Sequence, residues 1–185
     1  MNLKPIIAAI DEQMDLPFVA TAFGLAQKYY ESPTSFYAGV VDEQGEVTNC
    51  FLQDKTPLSY YHRASRSAFD TIEREGYGDK DDRVRETTEV DLVVYGVDLK
   101  ITSYKLADIF VAAIPSYLDT QTCESLSVSD CRIDILSYDI DPSVVWREET
   151  TEPSVRAGLN KALIKVRYRL QCTYRRGCVP ICDEC

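Results

Sequence analysis

The stretch QCTYRRGCVPICDEC, residues 171 to 185, holds four of the chain's seven cysteines: Cys172, Cys178, Cys182 and Cys185. Thiolates at this density raise two chemistries. Four of them could hold zinc tetrahedrally, with Cys182 and Cys185 in the CxxC spacing that lets two sulfurs reach one ion. A zinc knuckle pair needs two such motifs, and the tail has one. The other chemistry is oxidation. Cys178, Cys182 and Cys185 read as a redox-sensitive tail, and Cys123 and Cys131 flank a linker and could pair with each other. Seven is odd, so a complete internal disulfide framework is impossible. Cys172 falls on the apolar face of a strand pattern, where a free cysteine acts as a small hydrophobe. The adopted reading is reduced thiols without an essential role, with no metal and no cofactor.

Other catalytic constellations are missing from the sequence. His62, in YYHRAS, is the lone histidine, so a Ser-His-Asp triad or a histidine-based metal site has no second imidazole. It reads as a loop histidine among tyrosines. No Walker A loop, dinucleotide fingerprint or nucleophile elbow occurs. Acids are plentiful, but no spacing singles out a carboxylate pair. The chain is not expected to be an enzyme.

The elements that must position these residues follow from pattern. A chain of 185 residues, 45% hydrophobic and 27% charged, suits one ordinary domain, with 1–176 as its body and 177–185 as a cysteine-rich tail. Met1 to Met14 lacks the layout of a secretory signal, and no apolar run approaches a membrane span, so a soluble intracellular chain is expected. The net charge is −10, which argues against wrapping nucleic acid by counterion release. The charge is segregated. Residues 161 to 176 carry six basic residues and no acid, whereas 42–46 and 86–91 are acidic.

Residues 3–14 predict a short helix, with Pro5 near its start. FVATAFGLAQKYY, 18–30, either extends that helix or forms a bent segment. SFYAGVV and EVTNCFL around DEQG predict a hairpin. Residues 53–70 read as a loop or an edge strand broken by Pro57. The charged stretch 73–86, with two glycines, reads as a solvated loop. Residues 87–99 predict a strand. Leu106, Ile109, Phe110, Ala113, Ile114, Tyr117 and Leu118 mark an amphipathic helix over 103–118, capped by Ser103 and kinked or ended by Pro115. CRIDILSYDIDPSVVWRE predicts a strand that bends at Asp141-Pro142. In 163–175, Ile164, Val166, Tyr168, Leu170, Cys172 and Tyr174 alternate with Lys165, Arg167, Arg169, Gln171, Thr173 and Arg175. This period of two predicts a long strand with one buried face and one basic face. The sum is an α+β fold: a mostly antiparallel sheet, an amphipathic helix packed on it and an N-terminal helix.

FGLAQKYYESPTSFYAGVV with the acidic DEQGE turn resembles the N-terminal part of tail-terminator and head–tail connector proteins of tailed bacteriophages. The later order resembles them too: strand ETTEVDLVVYGVDL, helix TSYKLADIFVAAIPSYL, strand CRIDILSYDIDPSVVW and closing strand ALIKVRYRLQCTYR. The flavour is that of crAss-like phages, over about residues 1 to 176. The charged 73–86 stretch and the cysteine-rich end depart from the short family members. The resemblance implies a structural virion subunit, not an enzyme. It would form a ring of six or twelve copies at the neck, next to portal, connector or tail proteins, with genomic DNA passing through without specific binding. It would be made in the host cytoplasm and would touch no membrane.

Such a ring needs two different patches of one subunit to meet. The candidates are an acidic patch at Glu86, Glu89 and Asp91 and the basic face at Lys165, Arg167 and Arg169. The same charges could instead pair across strands within one sheet. The alternative function is a small zinc-binding or redox module using the C-terminal cysteines. A nucleic-acid-binding reading of the basic strand is weakened because Tyr168 and Tyr174 alternate onto the apolar face.

Overall fold

The computed structural model describes residues 2–18, 20–42, 44–51, 57–71, 83–97, 99–151 and 161–175. The order is α1 (Leu3–Gln13), β1 (Thr21–Leu25), β2 (Gln27–Ser32), β3 (Ser35–Val41), β4 (Val47–Asn49), β5 (Leu58–Thr71), β6 (Arg83–Val97), α2 (Ser103–Ala113), α3 (Thr120–Ser125), β7 (Asp130–Asp139), α4 (Pro142–Glu149) and β8 (Lys161–Arg175). The fold is α+β. Strands β1-β5-β6-β8-β7 form one five-stranded sheet, and β2-β3-β4 form a second of three. Every pairing is antiparallel except β1 with β5. Among the described residues no helix is long and apolar enough to cross a membrane.

Strand β8 organises the main sheet. Its predicted apolar face is buried: Ile164, Val166, Tyr168, Leu170 and Cys172 lie opposite Val94, Leu92, Val90, Thr88 and Glu86 of β6. Against this face pack Ile6, Ile7 and Ile10 of α1 and Leu106 and Phe110 of α2. The other face starts as a second apolar cluster, where Tyr61, Val93, Tyr95 and Leu163 meet Ala26, Ala38, Phe51 and Val145. Two helices therefore cover one side of the sheet, and α4 with the small sheet covers part of the other.

Several predicted boundaries move, each for a local reason. The segment 18–30 does not extend α1 but forms β1 and β2, with Gly24 at φ +69° in a conformation that favours glycine. The β3–β4 hairpin is as predicted. Asp42 closes its turn by accepting from the backbone N–H of Gln44 and Glu46, and Gly45 supplies φ +86°. Residues 58–71 form one strand rather than a loop, and β1 flanks only its first part, Ser59–His62, so that from Arg63 on it is paired by β6 alone among the described residues. Pro57 stands just before β5, so it does not interrupt the strand, whose start lies between β1 and β6. The predicted 73–86 loop loses its last four residues to β6, and 73–82 lie outside the described residues.

Helix α2 stops at Ala113 because the residue before Pro115 is pushed to an extended backbone, Ile114 at ψ 121°. Its N-cap is Thr102, not Ser103, with the Thr102 hydroxyl accepting from the Lys105 N–H. Asp141-Pro142 does not bend a strand; it starts α4. Asp141 caps the helix by accepting from the Ser143 N–H, and Pro142 occupies the first turn, where its missing N–H is not needed.

Candidate subunit interface

The charged face of β8 finds its partners inside the chain. Arg167 donates to both oxygens of Asp91, at 2.7 and 3.2 Å, and Asp91 is also 3.5 Å from Arg63. Lys165 is buried and pairs with Glu148 of α4. Arg169 stands 4.0 Å from Glu89. Glu86 is buried on the opposite face, in register with Cys172. The structure thus joins Asp91 to Arg167 and Glu89 to Arg169 as cross-strand pairs. Of the six expected interface residues, Glu89, Arg167 and Arg169 keep substantial exposure.

The network continues into Glu149, which is fully buried at the end of α4. It accepts from the Tyr61 hydroxyl at 3.0 Å and from Arg63 Nε and Nη2 at 2.9 and 2.5 Å. Burial, and then the Glu149 charge, push the Tyr61 hydroxyl well above its ordinary pKa, so it stays a donor. A buried carboxylate with three charge-assisted or hydroxyl donors is satisfied as a structural ion pair.

His62 lies in β5, not in a loop, and its ring is fully buried between Tyr60 and Tyr168. Its Nε2 is 2.9 Å from Asp11 Oδ1, and its Nδ1 is 2.9 Å from the Tyr168 hydroxyl. With Nε2–H donating to Asp11, Nδ1 accepts the Tyr168 hydrogen, and both ring nitrogens are satisfied. The chain Asp11–His62–Tyr168 ties α1 to β5 and β8. It carries no serine or cysteine nucleophile beside the imidazole.

The sheet has an edge that sequence reasoning missed. Strand β7 pairs with β8 on one side only. Its first half is covered on the other side: Leu118 N–H donates to Cys131 C=O, and Ile133 N–H donates to Ser116 C=O. Beyond Ile133 no covering segment is recorded among the described residues. Antiparallel alternation turns the backbone of Ile135 to the same open side as that of Ile133. There Ile135, Leu136 and Tyr138 are 37, 39 and 46% exposed, and Val144 of α4 is exposed nearby in the chain. A bulge between Ile135 and Ser137 makes room for Leu136. The signal in the sequence was Ile135-Leu136, two adjacent apolar residues that break the alternation of the strand.

The thiols divide in the same way. Cys172 is buried on the apolar face as predicted, directly across from Cys131 in the β7–β8 ladder. Of the alternative zinc set Cys172 alone is described; Cys178, Cys182 and Cys185, and the 177–185 tail, lie outside the described residues. Among the described residues no three His, Cys, Asp or Glu side chains converge as metal ligands. An open groove of about 460 Å³ is lined by Tyr117, Leu118, Thr120, Cys123, Cys131 and Arg132, among others.

No family model matches the chain, and no curated protein matches it in sequence.

Proposed function

We propose that the chain is a structural subunit of a virion, forming a closed ring of its own copies at the head–tail junction of a tailed phage, through which the genome passes. The observation that carries this reading is the open half of β7. An exposed strand edge with unpaired backbone groups and apolar side chains invites another strand, and natural monomers usually blunt such an edge with lysine, proline or a cover. Here Asp134–Asp139 carries no lysine or proline and the cover stops at Ile133; a bulge between Ile135 and Ser137 and the flanking Asp134 and Asp139 blunt it in part, while Ile135, Leu136 and Tyr138 stay open. In register with Asp134 stand Arg169 and Glu89, so a charged rim borders the apolar strip.

A ring needs head-to-tail contacts between two different surfaces. In this reading β7 of one subunit meets the next subunit on the β1 side, the opposite edge of the same sheet, and the sheet continues around the ring. The order of helix, hairpin, strand, helix, strand and strand that resembles head–tail connectors supports the same class. The neighbours would be portal, connector or tail proteins, and the net charge of −10 suits a channel that must release DNA.

Mass photometry of the purified full chain tests this. The reading predicts a discrete ring species, dispersed by Leu136→Lys with the fold intact. A wild-type protein that stays monomeric at tens of micromolar, alone and with its portal protein, contradicts it.

A further inference from the structure

Three buried thiols, Cys123, Cys131 and Cys172, lie where α3 meets the β7–β8 ladder, and the assembly reading does not use them. Their arrangement differs from the Cys123–Cys131 pairing that spacing suggested. Cys131 and Cys172 are directly opposed on adjacent antiparallel strands. Antiparallel pairs alternate between hydrogen-bonded and non-hydrogen-bonded, and the outward bond from Cys131 settles which kind this is. Cys131 C=O accepts from Leu118 N–H on the far side of β7, and Ile133 N–H likewise points away to Ser116. The backbone groups of Cys131 therefore face away from β8, and Cys131 and Cys172 form a non-hydrogen-bonded pair. In such pairs the Cα atoms stand about 4.5 Å apart and the side chains are close, within the roughly 4.4–6.8 Å that a disulfide spans.

We propose that Cys131 and Cys172 are a redox site that forms a cross-strand disulfide, with a low-molecular-weight disulfide as oxidant, locking edge strand β7 to β8. The groove lined by Cys123 and Cys131 gives the oxidant its approach. The Cys131 thiol loses its proton, and the sulfur attacks one sulfur of the small disulfide. The small S–S bond breaks, a mixed disulfide forms, and the first small thiolate leaves and takes up a proton. Cys172, losing its own proton, then attacks the Cys131 sulfur and expels the second small thiol. Two protein thiols are oxidised by two electrons in total, and one small disulfide is reduced to two thiols.

The surroundings set the timing. Burial raises the Cys123 thiol above its ordinary pKa, and the hydrogen bond with Cys131 followed by burial raises Cys172. The pair stays reduced in a reducing cytoplasm and oxidises once the protein reaches oxidising surroundings. The bond closes the chain between residues 131 and 172 and shifts the folded-to-unfolded ratio by about several hundredfold. It would also stiffen the strand beside the proposed contact, yet it forms in an isolated subunit and does not require the ring.

The test uses the full chain, incubated folded with oxidised glutathione at pH 8, then alkylated and digested with trypsin without reduction. Trypsin leaves Cys123 and Cys131 on one peptide, 106–132, and Cys172 on another, 170–175. The expected result is a cross-linked pair of these peptides that persists in Cys123→Ser, disappears in Cys131→Ser, and comes with a higher urea midpoint that dithiothreitol reverses. Cys123→Ser leaves both proposed partners native, so a folding defect in Cys131→Ser does not decide the outcome. Failure of the folded wild type to yield the cross-link, or a cross-link lost in Cys123→Ser and kept in Cys131→Ser, overturns the proposal.

Discussion

The two faces of β8 are built on different physics. Toward α1 and α2 the strand presents Ile164, Val166, Tyr168, Leu170 and Cys172, a dry surface filled from across the fold. Toward α4 it presents Lys165, Arg167 and Arg169, each held by an acid of the same chain. The first face is stabilised by area removed from water, at about 25 cal/mol per Å². The second gains little net energy, because desolvation of each ion offsets most of its attraction. What the ionic face supplies is register, since a one-residue slip of β8 would carry three cations into the apolar layer. With Lys165 and Arg167 satisfied inside the chain, the apolar strip of β7 is left as the stronger candidate for a neighbour.

The comparison can be broken at its deepest point first. Phe110→Ala empties a fully buried site between Phe18 and Tyr60, whose rings lie 6.2 and 5.5 Å away. It should cost about 3–5 kcal/mol, read as a lower urea midpoint at unchanged slope. Glu149→Ala comes next. It leaves Arg63 and the Tyr61 hydroxyl without their main acceptor and should cost about 3 kcal/mol. The double replacement Arg63→Met with Glu149→Leu should recover most of that loss, because the buried pair adds little net stability; no recovery would mean the ionic face is stronger than described.

Arg167→Ala should cost about 1 kcal/mol or less, since the guanidinium is partly exposed. The smallest effect is at the Asp141 cap. Hydrogen bonds from Ser143 hold its carboxyl below the usual 3.8. A depressed carboxylate adds stability above its unfolded pKa and loses it as pH falls through the folded value. As pH falls below about 4 the wild type should therefore lose slightly more stability than Asp141→Asn, which caps without titrating. Thermal melts of both proteins across that range would show the difference, and parallel losses would remove the cap from the account.

What was legible in the sequence follows the strength of local pattern. Strand β8 and α1 announced themselves because period two and the spacing of Ile6, Ile7 and Ile10 leave few alternatives. Strand β5 was hidden: its second half carries Arg63, Ser65, Arg66 and Ser67, and a bulge between Ala64 and Arg66 interrupts the period of two. Helix α4 was hidden by its shortness, although Asp141-Pro142-Ser143 is a helix-start signal in its own right. The partners of the basic face were also out of reach. Asp91 and Arg167 are 76 residues apart, and only the strand order brings them opposite. Which edge of the sheet stays open depends on where Ser116–Leu118 comes to rest, and no local spacing encodes that.

The most direct test sets the two charge-bearing and apolar candidates against each other by native mass spectrometry of the full chain. The account predicts that wild type and Glu89→Gln form the same ring, while Leu136→Lys runs as a folded monomer with an unchanged circular dichroism spectrum. Rings that survive Leu136→Lys at wild-type abundance would contradict the assignment of β7 as the contact between subunits.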